Sequence, residues 1–226
     1  TDSLASAFTN ASGNGIMRIQ AYNDLELRAT TTIDATGKGN DLYMLSDAGN
    51  VVTQEFNFKS EYQTAAKRGM LGIWAEDRGT ESSFSGCGNA IGNRNSQRGN
   101  VYMNDVVKVE HPATSASGEE TNIRAANNIR TAQFSFKSES TKNDSTNIVS
   151  RKGDAYLGYS VKAPVYDNAT GDPTNTGWNF NDNLFNYEVT DASNKGALTI
   201  KAGFDDTKQE MTQTQGMEGG NVYFTG

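Results

Sequence analysis

Cysteine and histidine each occur once, at Cys87 and His111, in a chain of 226 residues. A single cysteine excludes an intrachain disulfide and any cysteine metal cluster. A single histidine excludes multi-histidine metal sites and leaves a Ser-His-Asp or Cys-His arrangement only one place to be built. His111 precedes Pro112 at the end of a strand-like run and reads as an exposed or hydrogen-bonded loop residue. Cys87, set between glycines in Ser-Gly-Cys-Gly-Asn, has no neighbour to activate it and reads as a small, inert thiol.

Other absences narrow the field further. No run of about 18 apolar residues occurs, so no helix of this chain inserts into a membrane. Nowhere does an apolar face persist at i, i+3, i+4, i+7 for three turns, so long amphipathic helices are not expected. Basic residues are in deficit, 20 against 27 acidic, and the net charge is −7. An acidic chain cannot replace phosphate counterions, so a sequence-specific grip on nucleic acid is excluded. The same repulsion suits a conduit through which DNA slides without sticking.

What is present favours strands and turns. There are 23 glycines and only 3 prolines, hydrophobic residues make up 35%, and the mean hydropathy is −0.66. Thin layers fit that balance better than a thick helical core. Asn, Thr and Ser crowd the segments between apolar runs, as turns require.

The clearest strand is read in VVTQEFNFKSEYQ, residues 51–63, where Val52, Phe56 and Phe58 take one face and Thr53, Glu55, Asn57 and Lys59 the other. Its core returns as AQFSFKSE at 132–139, with Ala132, Phe134 and Phe136 on one face and Thr131, Gln133, Ser135 and Lys137 on the other. Phe56, Phe58, Phe134 and Phe136 are therefore the expected core. Lys59, Glu61, Lys137 and Glu139 are the expected assembly contacts, placed at strand ends where charge discourages edge aggregation. Residues 77–100 form a long polar, Gly-rich stretch, the kind of loop that binds something, and Arg94 and Arg98 lie in it as further contact candidates.

A fainter element recurs as Gly-Asn before a Tyr-containing strand, in GNDLYM (39–44), GNVYM (99–103) and GNVYF (220–224). The irregular spacing argues against a solenoid of fixed period and for a duplicated module. Leu71-Gly72-Ile73 and Leu157-Gly158-Tyr159 are read as counterparts within it. The organisation expected is an N-terminal arm (1–15), a first β module (16–98) and a second (99–226) sharing one core. The fold class is all-β, a β-sandwich or barrel-like domain with an internally duplicated strand-pair module.

Chemistry is thin. A glycosidase needs two acids across one sugar bond, and Glu55, Glu61, Glu76 and Glu139 read as solvent-facing acids instead. DATGKGND (34–41) and YDNATGD (166–172) bunch oxygen ligands around a glycine turn, as calcium requires. Asx-turns at Asp34, Asp167 or Asn168 explain the same letters, and no cofactor is assigned.

The composition and paired strand layout resemble bacteriophage virion structural proteins of the tail-tube or capsid-associated type. That resemblance implies a non-enzymatic, self-assembling subunit whose partners are copies of itself and other virion proteins. Two other functions share the composition: an exported extracellular filament or surface-layer subunit, and a carbohydrate-binding or carbohydrate-cleaving β domain with Trp74, Trp178 and Tyr166 as sugar platforms.

Overall fold

Strands that are consecutive in sequence do not pair in the two large sheets; each pairs with the strand one circuit of the chain later. The computed structural model describes residues 16–35, 41–61, 70–76, 99–113, 118–158, 160–161, 178–179, 185–205, 210–211 and 220–224. These build six successive coils. Coil 1 holds β1 (Ile16–Ala21), β2 (Leu25–Leu27) and β3 (Thr31–Ala35); coil 2 holds β4 (Asp41–Ser46), β5 (Val51–Thr53) and β6 (Phe56–Ser60). Coil 3 has β7 (Leu71–Ala75) and the long β8 (Val101–His111), and coil 4 has β9 (Glu120–Ala125) and the long β10 (Ile129–Ser138). Coil 5 follows with β11 (Ser145–Ser150), β12 (Ala155–Leu157), the short β13 (Ser160–Val161) and β14 (Trp178–Asn179), and β15 (Phe185–Val189). Coil 6 has β16 (Ala197–Ala202), the short β17 (Phe204–Asp205) and β18 (Glu210–Met211), and β19 (Val222–Phe224).

One sheet runs β1-β4-β7-β9-β11-β16, and every pairing in it is parallel. The second is also parallel; it runs β19-β12-β10-β8-β5-β2, with β3 and β6 extending from β8 and β15 extending from β10. Only the pairs β13/β14 and β17/β18 are antiparallel among the described residues. The expected sandwich or barrel of paired hairpins is therefore incorrect. The fold is a stack of coils, a parallel β-solenoid. Parallel neighbours need a crossover, and here each crossover is made by strands of the opposite sheet, so no helix is required.

The period was hidden by insertions. Ile16 pairs with Asp41 and Glu120 with Ser145, offsets of 25 residues. Leu71 pairs with Thr121 and Ser145 with Ala197, offsets of 50 and 52. Extra residues enter between strands of a coil, so the repeat is regular in space and irregular in sequence. The boundary drawn at residue 98 falls inside coil 3.

Inward faces stack coil on coil. Leu42, Met44, Leu71, Ile73, Ile123 and Ile148 line one wall, and Val51, Val101, Met103, Ile129 and Leu157 another. Phe56, Phe58, Phe134 and Phe136 lie in the same core, each no more than 1% exposed. Phe134 stacks on Phe185 at 5.3 Å and Phe136 on Tyr187 at 4.6 Å between centroids. Phe56 and Phe134 are both in register with Val107 of the coil between them. The repeated Phe-x-Phe is thus one position of the coil, occupied twice.

Corners change which residues point inward. Val52 pairs with Tyr102 and faces out, while Val51 and Thr53 lie on the inner side with Phe56 and Phe58. The break at Gln54–Glu55 shifts the alternation by one residue. In coil 4 a bulge between Thr131 and Gln133 does the same. Thr131, read as outward, is buried. Leu71 and Leu157, read as counterparts, sit in different sheets.

The outward face of the first sheet also carries apolar residues. Tyr43, Leu45, Met70 and Trp74 form a second buried cluster, with the Tyr43 and Trp74 rings 5.2 Å apart. Gly72 allows this: a Cβ there would come 2.6 Å from the Tyr43 ring.

Candidate functional site

Each coil turns from the first sheet into the second through an Asp or Asn, and these six residues form a ladder. Asp24 Oδ1 accepts from Asn50 N–H at 2.7 Å, Asn50 Oδ1 from Asn100 N–H at 3.0 Å, and Asn100 Oδ1 from Asn128 N–H at 2.9 Å. Asn128 Oδ1 accepts from Asp154 N–H, and Asp154 Oδ1 from Asn221 N–H, both at 2.9 Å. The backbone answers in the other direction: Leu25, Val51, Val101, Ile129 and Ala155 each donate N–H to the carbonyl of the ladder residue in the next coil. Successive turns are thus joined by two hydrogen bonds per step, one from the backbone of each coil to the ladder residue of the other.

The Gly-Asn recurrence was the visible trace of this ladder. GNVYM and GNVYF lie on it, but GNDLYM does not, since Asp41 opens a strand of the first sheet; the true member in coil 2 is Gly49-Asn50. Glycine precedes the ladder residue because space is short: a Cβ at Gly49 would lie 2.5 Å from Asp24 Oδ1, and Gly99 adopts φ +79°. Asn100→Ala removes the acceptor of the Asn128 N–H and one of the two donors to Asn50 Oδ1. The expected loss is about 1–3 kcal/mol, read as a lower urea midpoint with an unchanged m-value.

Charged residues form a second ladder on the outside. Register places Asp34 beside Lys59, Lys59 beside Glu110, Glu110 beside Lys137, and Lys137 beside Glu188. The signs alternate through five coils. Lys59 Nζ is 3.9 Å from Glu110, and Lys137 Nζ is 2.6 Å from Glu139 along its own strand. The two Lys-Ser-Glu copies therefore have partners within the chain. Glu61 is buried, and Arg94, Arg98, Cys87, Tyr166 and Asn168 lie outside the described residues.

His111 is the largest departure from the sequence reading. It is 1% exposed and is the last residue of β8, so neither exposure nor a loop position describes it. Its Nε2 is 3.3 Å from Glu119 Oε2 and its Nδ1 3.4 Å from Asp144 Oδ2, and its ring meets Phe136 edge-on. Ser138 donates its hydroxyl to Asp144, Asn194 Nδ2 donates to Ser138 Oγ at 3.1 Å, and Glu119 N–H donates to Asp144 Oδ1 at 2.8 Å. Burial works against ionisation of Asp144, but the His111 imidazole, the Glu119 N–H and the Ser138 hydroxyl outweigh it and hold the carboxyl below its usual range.

Ser, His and Asp meet here without the geometry of a hydrolase. The serine hydroxyl is bonded to the carboxylate and not to the imidazole, so the relay from serine through histidine to aspartate is not built. The cluster ties coils 3, 4 and 5 together, and Asn194 joins it from the segment leading into coil 6. Sequence could not find it, because its members come from three connections far apart in the chain: His111 and Glu119 from β8–β9, Ser138 and Asp144 from β10–β11, and Asn194 from β15–β16.

The outward face of the second sheet bears Tyr102, Arg130, Tyr156 and Tyr223 in register. The Arg130 guanidinium lies 5.8 Å from the Tyr102 ring and 5.2 Å from the Tyr156 ring. Tyr156 stacks on Tyr223 at 4.8 Å. Burial, together with its 2.9 Å hydrogen bond to Asp154, pushes the Tyr156 hydroxyl up to about 12. Among the described residues no group of His, Cys, Asp and Glu is arranged to hold a metal ion. Of the calcium candidates, 36–40 and 166–172 lie outside the described residues. No family model, curated protein or solved structure matches this chain.

Proposed function

We propose that the chain is a non-enzymatic structural subunit that assembles with copies of itself in a virion. One observation carries this reading: among the described residues, both large parallel sheets end in edge strands, β1, β2 and β3 at one end and β16, β19 and β15 at the other. A barrel would close those edges; a solenoid leaves them as templates for further pairing. Inner residues next to the edges are correspondingly less buried. Ile19 and Ile200 are half-buried, whereas Ile73, Ile123 and Ile148 between them are 0% exposed.

The non-enzymatic part is supported by the position of His111, which is enclosed between two carboxylates. The virion setting rests on the net charge of −7, which lets nucleic acid pass without being gripped; an exported filament is the rival setting. Purified chain is expected to form ordered polymers with rising concentration, seen by sedimentation and in micrographs. A folded monomer that stays inert at high concentration would count against the reading.

A carbohydrate-binding role is favoured by one feature, the outward Tyr156-Tyr223 pair beside Arg130, since Tyr102, the next ring of that row, is 3% exposed. Trp74, the sugar platform expected from sequence, is 1% exposed, which weakens that role. Retention of the purified monomer on a glycan array would support it over assembly.

A further inference from the structure

We infer that copies of this chain stack end to end, the last coil of one against the first coil of the next, in the register the internal ladders already use. The inference rests on the structural reading above and names its partner surface. Every internal step of the asparagine ladder has the same two bonds. The residue after the ladder position donates its N–H to the ladder carbonyl of the next coil, as Ala155 does to Asn221. The ladder side chain accepts from the N–H of the next ladder residue, as Asp154 does from Asn221.

The two ends of the stack are the two halves of that step. Ala155 donates to the Asn221 carbonyl, so in a parallel ladder the N–H and C=O of the following residue, Val222, point away from β12, out of the end of the stack. At the opposite end Leu25 donates to the Asn50 carbonyl, so the Asp24 carbonyl and the Glu26 N–H point out of the first coil by the same alternation. A second copy placed in register would receive the Val222 N–H on its Asp24 carbonyl and give its Asp24 N–H to Asn221 Oδ1. Its Glu26 N–H would reach the Val222 carbonyl.

Side chains continue as well. Extending the register of the first sheet sets Leu198 over Met17 and Ile200 over Ile19, apolar on apolar. Extending the second sets Val222 over Leu25 and Phe224 over Leu27. Val222 and Phe224 are 37% and 57% exposed, and this contact would cover them. The junction uses different surfaces on its two sides, so it does not close on itself and it propagates as a polar filament.

Proline tests this because it deletes one N–H and is tolerated on an edge. Val222→Pro blocks one end and Glu26→Pro the other, and by the ladder alternation neither N–H serves the bond to its neighbouring strand, β12 or β5. Each variant alone is expected to keep the circular dichroism and melting temperature of the parent and to form no filaments. Val222→Pro added at a low ratio to parent chain should shorten filaments by capping one end. The two variants mixed should give a 1:1 dimer, because each retains the end the other lacks.

Polymers from either variant, indistinguishable from the parent's, would overturn end-to-end stacking while leaving a structural role through another surface. A parent chain that never polymerises would overturn both. Should one proline variant fail to fold, the other tests the same junction from its opposite side.

Discussion

Phe136→Ala is expected to lower the stability of the folded chain by about 3–5 kcal/mol, the cost of a large core truncation that leaves a cavity. The ring is 0% exposed. It stacks on Tyr187 at 8° between planes and receives the His111 ring at 88°. Above and below it the coils are fixed by their own hydrogen bonds, so the walls cannot collapse into the space. Urea unfolding at a concentration where the chain is monomeric measures the loss. A change under about 1 kcal/mol would mean that the Phe-x-Phe position is not the packed layer described here.

Asp144→Ala is expected to cost about 2–4 kcal/mol, because it leaves two buried donors, a backbone N–H and a hydroxyl, without their acceptor. The Asp144 side chain bonds the Glu119 N–H and the Ser138 hydroxyl and sits against His111. Removing it strips one side of the imidazole and orphans a backbone donor. The same carboxylate gives a pH dependence with a defined sign. Its ionisation is favoured in the folded state, so it stabilises fully above its unfolded value of about 3.9 and the stabilisation is lost as pH falls through the lower folded value. The parent chain should therefore lose stability below about pH 4. Asp144→Asn should be less stable at neutral pH and show a shallower acid limb in the same titration.

Strand content and the inward phenylalanines were legible because alternation is a local property. Phe56-Asn57-Phe58 and Phe134-Ser135-Phe136 state their own faces without reference to any partner. Pairing is not local, and parallel and antiparallel strands can share one alternation. Two hairpin-like copies of a strand thus read as a sandwich, whereas Lys59 and Lys137 in fact flank Glu110 of the coil between them.

The coil period was recoverable in principle from Asp24-Leu25, Asn50-Val51, Asn100-Val101, Asn128-Ile129, Asp154-Ala155 and Asn221-Val222. Two things obscured it: insertions that double some offsets, and the use of Asp in place of Asn in coils 1 and 5. The buried His111 cluster had no such trace. Its members are spread over three connections, and each alone is an ordinary polar residue. Val52 and Thr131 were misplaced for a third reason, because a corner or bulge resets the alternation without changing the composition.

The central claim is that the coils stack in parallel at one strand spacing per coil, and spin labels on the outer charge ladder test it most directly. In a Cys87→Ser background, label pairs at 34 and 59, at 59 and 137, and at 59 and 188 span one, two and three coils by register. Dipolar broadening should report backbone separations of about 5, 10 and 14 Å, rising by one inter-strand distance per coil. Separations that do not increase in that order, or labels at 59 and 137 lying far beyond two strand spacings, would contradict the stack.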